Sequence, residues 1–361
     1  FWGQEVKNVT ISGSGKISGN GKMFWETTFI SGSSVPRPDD CISYDVYQPK
    51  LRRPAGLIYF SDSENIIIQD VTIVDAATYT VWCIGCKNIK ITGLKVNNDR
   101  RGPNSDVLDM DCCRNVSITD CDFNAGDDCI ALKSDCNRTG TTFPCERIEV
   151  RNCRLSSATC AIRIGYEGDA PIRDCLFKDI EITDTRHGID ILSITPKVDF
   201  AVIKHGTPID NIRFENIKMR NVGQAFFIWA GKENLQNDYT GHIRKLEFFN
   251  IDAECVASSW IGSQDDTRIS DLSFNNIKLK VDLSRDYDST ENIYGVPSHW
   301  GGNFIAGGLA LRHIAGLVMR NIEMSVNNGH CPDCYWVGVK DFVFDGKPLP
   351  VNGGNSGSDH K

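Results

Sequence analysis

The chain has 361 residues, 40% of them hydrophobic and 24% charged, with a formal net charge of −8. This balance suits a soluble protein with a real core and leaves no basic stripe to follow a nucleic-acid backbone. No apolar run approaches the length that crosses a bilayer, so neither nucleic acid nor membrane is expected as a partner.

The opening stretch FWGQEVKNVTISGSG is already strand-like and has no signal-peptide pattern, which predicts that the natural N-terminus has been removed. From Asn8 a repeat takes over. NVTISGSGKIS begins at Asn8, NIIIQDVTIVD at Asn65, NIKITGLKVNN at Asn88 and NVSITDCDFNA at Asn115. It continues as RIEVRNCRLSS from Arg147, LFKDIEITD from Leu176, NIRFENIKMRN from Asn211 and KLEFFNIDAEC from Lys245, and closes as DLSFNNIKLKV from Asp271 and GLVMRNIEMSV from Gly316. Alternation of apolar and polar residues means strands with one buried face, and a spacing of roughly 23 to 45 residues is a solenoid period. The leading Asn predicts a side-chain ladder at a recurring bend. Asn8, Asn115 and Asn137 also begin N-x-S/T triplets, but the first two belong to the repeat.

Third runs lie between these units: GLIYF (56–60), TVWCIG (80–85), VLDMD (107–111), CIALK (129–133), AIRIG (161–165), GIDILS (188–193) and AFFIWA (225–230). Three short strands per turn predict an all-β chain wound as a right-handed parallel β-helix, its core supplied by stacking of turns. Residues 1–350 read as one such domain and residues 351–361, VNGGNSGSDHK, as a flexible tail.

Of the 15 cysteines, Cys136 and Cys145 flank a Thr/Gly/Pro-rich loop as a candidate pair. Cys83/Cys86 and Cys331/Cys334 invite a zinc reading, but no His stands at ligand spacing, and no structural zinc is expected. Cys129, Cys153, Cys160 and Cys175 lie within strand-like runs, where a thiol acts as a small buried hydrophobe.

The solenoid period also gathers charge. Asp106 precedes VLDMD as Asp128 precedes CIALK one turn later, so stacking puts both in one column with Asp127 beside them. Leu108, Ile130, Leu132, Ile162, Ile164, Ile189 and Ile191 fall in inward columns. Asp109, Ala131, Arg163 and Asp190 then share an outward column, and Asp111, Lys133, Gly165 and Leu192 another, with Asp111 and Lys133 as a stacked ion pair. Three clustered acids are costly as structure alone. Calcium binding is one use, but no D-x-D-x-D-G loop is present and no metal or other cofactor is expected. The other is glycoside hydrolysis, which needs one protonated acid and one ionised base across the bond.

Three segments carry a resemblance: NVTISGSGKISGNGKMFW (8–25), RPAGLIYFSDSENIIIQDVTIVDAATYTVW (53–82) and GPNSDVLDMDCCRNVSITDCDFNAGDDCIALKS (102–134). In them the chain resembles glycoside hydrolase family 28, the polygalacturonases. The family's Asn-Thr-Asp motif looks like Asn104-Ser105-Asp106, and its Gly-Asp-Asp motif like Gly126-Asp127-Asp128. The resemblance implies Asp127 as general acid, with Asp106 and Asp128 positioning and activating water, and inversion at the anomeric carbon. It also implies a pectin-like polysaccharide as partner and a secreted or periplasmic location.

The departures redirect the substrate. The family's Gly-His-Gly falls at Ala158-Thr159-Cys160, without histidine, and its Arg-Ile-Lys at Asp190-Ile191-Leu192, without either cation. A plain polygalacturonan is therefore not expected. A rhamnogalacturonan-cleaving branch also lacks the histidine, and a neutral sugar fits as well. Arg163, one turn before Asp190, is a candidate replacement for the lost arginine, with a simple Asp190 ion pair as the alternative.

Asn104 and Lys133, beside the acids, and Asp190 join the substrate-contact candidates. His187 is a candidate for the cleft floor, and Trp229 and Lys232 in FIWAGKEN, with Lys204 and His205, for sugar subsites; Tyr166 and Glu167 extend the face. The long inserts 32–53 and 282–303 suggest walls that favour exo attack. The alternatives are a non-catalytic polysaccharide-binding β-helix, as in an adhesin or tailspike, and a calcium-dependent lyase.

Overall fold

The computed structural model describes residues 1–29, 47–135, 143–195, 203–232, 238–265, 268–284, 307–327 and 333–355. Among these, 26 strands join one continuous sheet whose pairings are almost all parallel. The only helical element among them is the 3-10 turn Gly21–Met23. Each turn stacks on the next in register. Leu108 pairs with Val81 before it and Ile130 after it, Arg114 with Lys87 and Glu146, and Asp122 with Lys95 and Arg154. Three strands per turn and parallel crossovers make the right-handed β-helix expected from the repeat. The strands Ile172–Thr195 and Pro208–Lys232 run unbroken around the corners.

The expected inward columns are the core. Leu108, Ile130, Ile162 and Ile189 stack rung on rung, and none is exposed to solvent. Each such side chain contributes about 1.5–3 kcal/mol by leaving water. Farther along, Phe177, Phe214, Phe248 and Phe274 stack face to face with centroids 5.1, 5.0 and 4.5 Å apart. Cys129, Cys153, Cys160 and Cys175 are buried as expected. Cys83 and Cys86 are buried too, with the Cys86 thiol directed at the Phe60 and Ile84 carbonyls. Cys136 and Cys331, half of each remaining pair considered from the sequence, fall outside the described residues.

The leading asparagines form the predicted ladder. The Asn65 amide donates to Asn8 at 2.8 Å, Asn88 to Asn65 at 3.0 Å and Asn115 to Asn88 at 3.0 Å. All four sit at φ between 57° and 60°, where a short polar side chain is tolerated best. A second ladder runs from Asp179 through Asn216, Asn250 and Asn276 to Asn321. The amides of Asn8 and Asn115 therefore belong to the bend; Asn137 lies outside the described residues.

Two expectations are corrected. The outward column Asp111, Lys133, Gly165, Leu192 is interrupted, because the register shifts and Ser134 pairs with Gly168. Gly165, Tyr166 and Glu167 bulge out, with Gly165 and Tyr166 at φ 88° and 69°. Residues 351–355, read from the sequence as the start of a flexible tail, are held in place. Gly353–Asn355 pairs antiparallel with Cys334–Val337, and the Val351 carbonyl and Asn352 side chain accept from Val339 and Gly338. Gly353 permits this because a Cβ there would strike the Trp336 ring.

Candidate active site

The acids arrive through the loops that precede third-run strands. The Val107 amide donates to the Asp128 carbonyl at 2.9 Å, and Cys129 to Cys160 at 2.9 Å. This register places Asp106, Asp128, Cys160 and His187 on successive turns, with Asp127, Thr159 and Arg186 alongside. Gly126 is required by close approach: a Cβ would collide with Ser105 Oγ and the Asp99 carbonyl. The Asp127 backbone carbonyl in turn accepts from Ser157 Oγ, so two turns are locked beneath the acids.

Carboxylate oxygens of Asp106, Asp127 and Asp128 lie within 4.8 Å of one another, the gathering that the period predicted. Asp106 and Asp128 are buried, and Asp127 is the member that reaches the surface. Asp128 Oδ2 faces Arg163 Nε at 3.2 Å, whereas among the described residues no cation lies in ion-pairing contact with Asp127. Desolvation first, and then the Asp128 charge, push the Asp127 carboxyl up to about 7. Burial, with Asp109 and Asp127, holds Asp106 well above the usual carboxylate range. Asp106 Oδ1 is buried with no hydrogen-bond partner among the described residues, and is suited to bind a sugar hydroxyl or water.

Around this centre the predicted side chains take specific places. Asn104 donates to Asp127 Oδ2 at 3.4 Å and accepts from Arg53 at 2.9 Å. Lys133 does not pair with Asp111. Its ammonium turns to Asp109 at 2.8 Å, Glu167 at 3.4 Å and Asp106 at 3.8 Å, because the bulge brings Glu167 over it. Burial opposes the Lys133 charge, but Asp109 and Glu167 hold its pKa well above normal. Asp111 instead accepts from the Asp135 amide at 2.7 Å, and burial pushes it up to about 7. Tyr79 lies over the Lys133 ammonium, 4.8 Å from nitrogen to centroid.

Arg163 makes the Asp190 ion pair given as the alternative and adds one to Asp128 that the sequence did not suggest. Besides Asp128 it stands 3.1 Å from Asp190, and Asp190 in turn holds His187 Nδ1 at 2.9 Å. His187 is buried, stacked 5.2 Å from the Phe227 ring, and burial pushes its pKa down against the pull of Asp190. It is thus an almost fully buried member of the wall, one turn after Cys160. Trp229 is corrected: it is 2% exposed, packed with Leu192, Ile194 and Phe227, and offers no open face to a sugar. Lys232 pairs with Thr195 at the strand end, about 16 Å along the chain from Phe227, the register neighbour of Asp190. Lys204 and His205 are pinned by backbone bonds to Asp169 at 2.9 and 2.8 Å. Most of both proposed cleft walls, residues 30–46 and 285–306, falls outside the described residues.

Three neighbours of the acids were not foreseen: Arg53, Cys160 and Thr159. The Thr159 hydroxyl lies 2.9 Å from Asp127 Oδ1 and 3.1 Å from Asp128 Oδ1. Its place one turn after Asp127 follows from the repeat, at the position where the family histidine falls. The acids have a spacing that a cation accepts, yet Asn104, Thr159 and Arg163 already take both oxygens of Asp127 and Asp128. A second cluster, Cys160, His187 and Asp190, already holds a cation, with Arg163 Nη2 2.9 Å from the Cys160 sulfur.

Fold and site together define a class: a parallel β-helix with a carboxylate centre on the outer face of adjacent turns. The chain belongs to the glycosyl hydrolases family 28, whose family model matches residues 1–302. It is 29% identical over 232 residues to a probable polygalacturonase of Vitis vinifera, covering 63% of this chain and 42% of that protein. It is 27% identical over 217 residues to a polygalacturonase of Gossypium barbadense, covering 58% of this chain and 47% of that one. The chain thus spans about half the length of the curated relatives it matches. In fold it is similar to the family 28 exopolygalacturonase of Yersinia enterocolitica, with a TM-score of 0.64 at 18% identity, over 95% of this chain and 61% of that one.

Proposed function

We propose that the protein hydrolyses glycosidic bonds of a pectin-type polysaccharide by direct displacement. The observation that carries this reading is the asymmetry within the acid trio: Asp128 faces a guanidinium, whereas Asp127 reaches the surface with a carboxyl raised to about 7. Asp127 then donates its proton to the leaving glycosidic oxygen. Asp128 takes a proton from the attacking water, and Asp106 orients that water through its unpartnered oxygen. Asn104 fixes the rotamer of Asp127, and Arg53 fixes Asn104.

The substrate differs from unbranched polygalacturonan at the point of cleavage. Thr159, Asp190 and Leu192 stand where the family resemblance expects a histidine and two cations. Lys133 and Arg163, beside the acids, are engaged by Asp109, Glu167, Asp128 and Asp190. Such surroundings favour a neutral sugar in at least one of the central subsites. A polysaccharide substrate places the enzyme's work outside the cell, and no helix among the described residues is long and apolar enough to cross a membrane.

A double displacement is the second reading. The nearest acid oxygens are within 4.8 Å, whereas inverting enzymes keep their carboxyl groups about 6.5–9.5 Å apart and retaining ones about 5–5.5 Å. A panel of pectic polysaccharides incubated with wild type and Asp127→Asn decides both points. New reducing ends made only by the wild type support hydrolysis, and proton NMR of the first-formed anomer separates inversion from retention. Binding of a glycan with no cleavage by either protein would refute the catalytic reading.

A further inference from the structure

We propose that the Thr159 hydroxyl is the link that returns the proton from Asp128 to Asp127 after each turnover. The inference rests on the hydrolytic reading above. Direct displacement leaves the two acids in exchanged states: Asp127 has given its proton to the leaving oxygen and Asp128 has gained one from water. A second turnover requires the exchange to be reversed. One hydroxyl oxygen stands 2.9 Å from Asp127 Oδ1 and 3.1 Å from Asp128 Oδ1, and it can accept from one carboxyl while donating to the other.

The transfer balances. The protonated Asp128 oxygen gives its proton to Thr159 Oγ1 as the hydroxyl gives its own to the Asp127 carboxylate. The hydroxyl then points at Asp128, which is the resting arrangement. No other reactant is consumed. The surroundings favour this direction. Arg163 stands against Asp128, while Asp127 has Asn104 and no ion-paired cation among the described residues. The hydroxyl itself is held in place: Ser157 Oγ accepts from the Thr159 amide at 2.8 Å and lies 3.4 Å from its Oγ1, and Arg186 follows it on the next turn. The buried Asp128 has little access to bulk water, so an internal route has an advantage over exchange with solvent.

Thr159 acts through the two carboxyls, so it is a positioning residue, and its test needs readouts that packing alone would not move. Thr159→Val keeps the shape and removes the hydroxyl, and Thr159→Ser restores it. Carbon-13 NMR titration of the free protein should show the titration of the Asp127 carboxyl altered in the valine variant and recovered in the serine variant. On the pectic polysaccharide that wild type cleaves, the valine variant should lose about tenfold or more in kcat with KM unchanged. Small buffer acids such as formate should restore part of that loss, and serine most of it. A valine variant with wild-type titration and kcat would overturn the relay while leaving hydrolysis intact. A wild type that cleaves no pectic polysaccharide would overturn the hydrolytic reading and the relay with it.

Discussion

Arg163 places its Nε 3.2 Å from Asp128 Oδ2 while its Nη1 stands 3.1 Å from Asp190. One buried cation therefore serves two turns, and it ties an acid of the reacting centre to the Asp190–His187 pair behind it. Removing it leaves two buried carboxylates without their partner. Arg163→Met is expected to cost about 3–5 kcal/mol of stability, because desolvation of the abandoned charges is not repaid. Denaturant unfolding measures it, and a loss below about 1 kcal/mol would show that the guanidinium is dispensable to the fold.

Asp127 is expected to act as an acid, and its pH behaviour follows from that role. With the carboxyl raised to about 7, the proton is present below that value and lost above it, so kcat/KM falls as pH rises through about 7. Asp127→Asn is expected to lower kcat by about 10²–10⁴-fold without altering the fold. Aryl glycosides with acidic leaving groups need little protonation and should be spared most of that loss. Equal losses on natural and activated substrates would count against the acid assignment.

Asp111 offers a test of linkage away from the chemistry. Burial pushes it up to about 7, while an unfolded aspartate ionises near about 3.9. Between those values the unfolded chain has released a proton that the folded chain keeps, so rising pH favours unfolding. Wild-type stability relative to Asp111→Asn should therefore fall from about pH 4 to about pH 7 and level off beyond. A difference that grows over that interval would mean that Asp111 is ionised in the fold.

The asparagine ladder separates backbone from hydrogen-bond contributions. Asn88 donates to Asn65 and accepts from Asn115, at φ 58°. Asn88→Gly keeps the conformation and loses the bonds, at an expected cost of about 1 kcal/mol. Asn88→Ala adds the left-handed penalty of about 1–2 kcal/mol more. Identical losses for the two variants would remove the backbone part of this account.

What was legible in the sequence is what the repeat controls. Inward columns, ladder asparagines and the meeting of Asp106, Asp127 and Asp128 follow from period and alternation, which fix register before any side chain is placed. Contacts that depend on a local break were not legible. The bulge at residues 165–167 swings Glu167 over Lys133 and takes the lysine from Asp111. Trp229 shows another limit: it stands in an outward column yet is covered by its neighbours, since in a solenoid outward does not mean exposed. Thr159 shows a third, because a hydroxyl has no motif of its own and declares itself only by what it touches.

The Val107 amide and the Asp128 carbonyl, 2.9 Å apart, join the two turns that carry the acids. The spacing of Asp106 from Asp128 is thereby set by the pitch of a β-ladder, a dimension that side-chain substitution leaves almost unchanged. Point mutation at this centre can change which groups act, but hardly how far apart they stand. Altering that distance takes the gain or loss of an entire coil, so the reach of the chemistry across a substrate is inherited in steps of one rung.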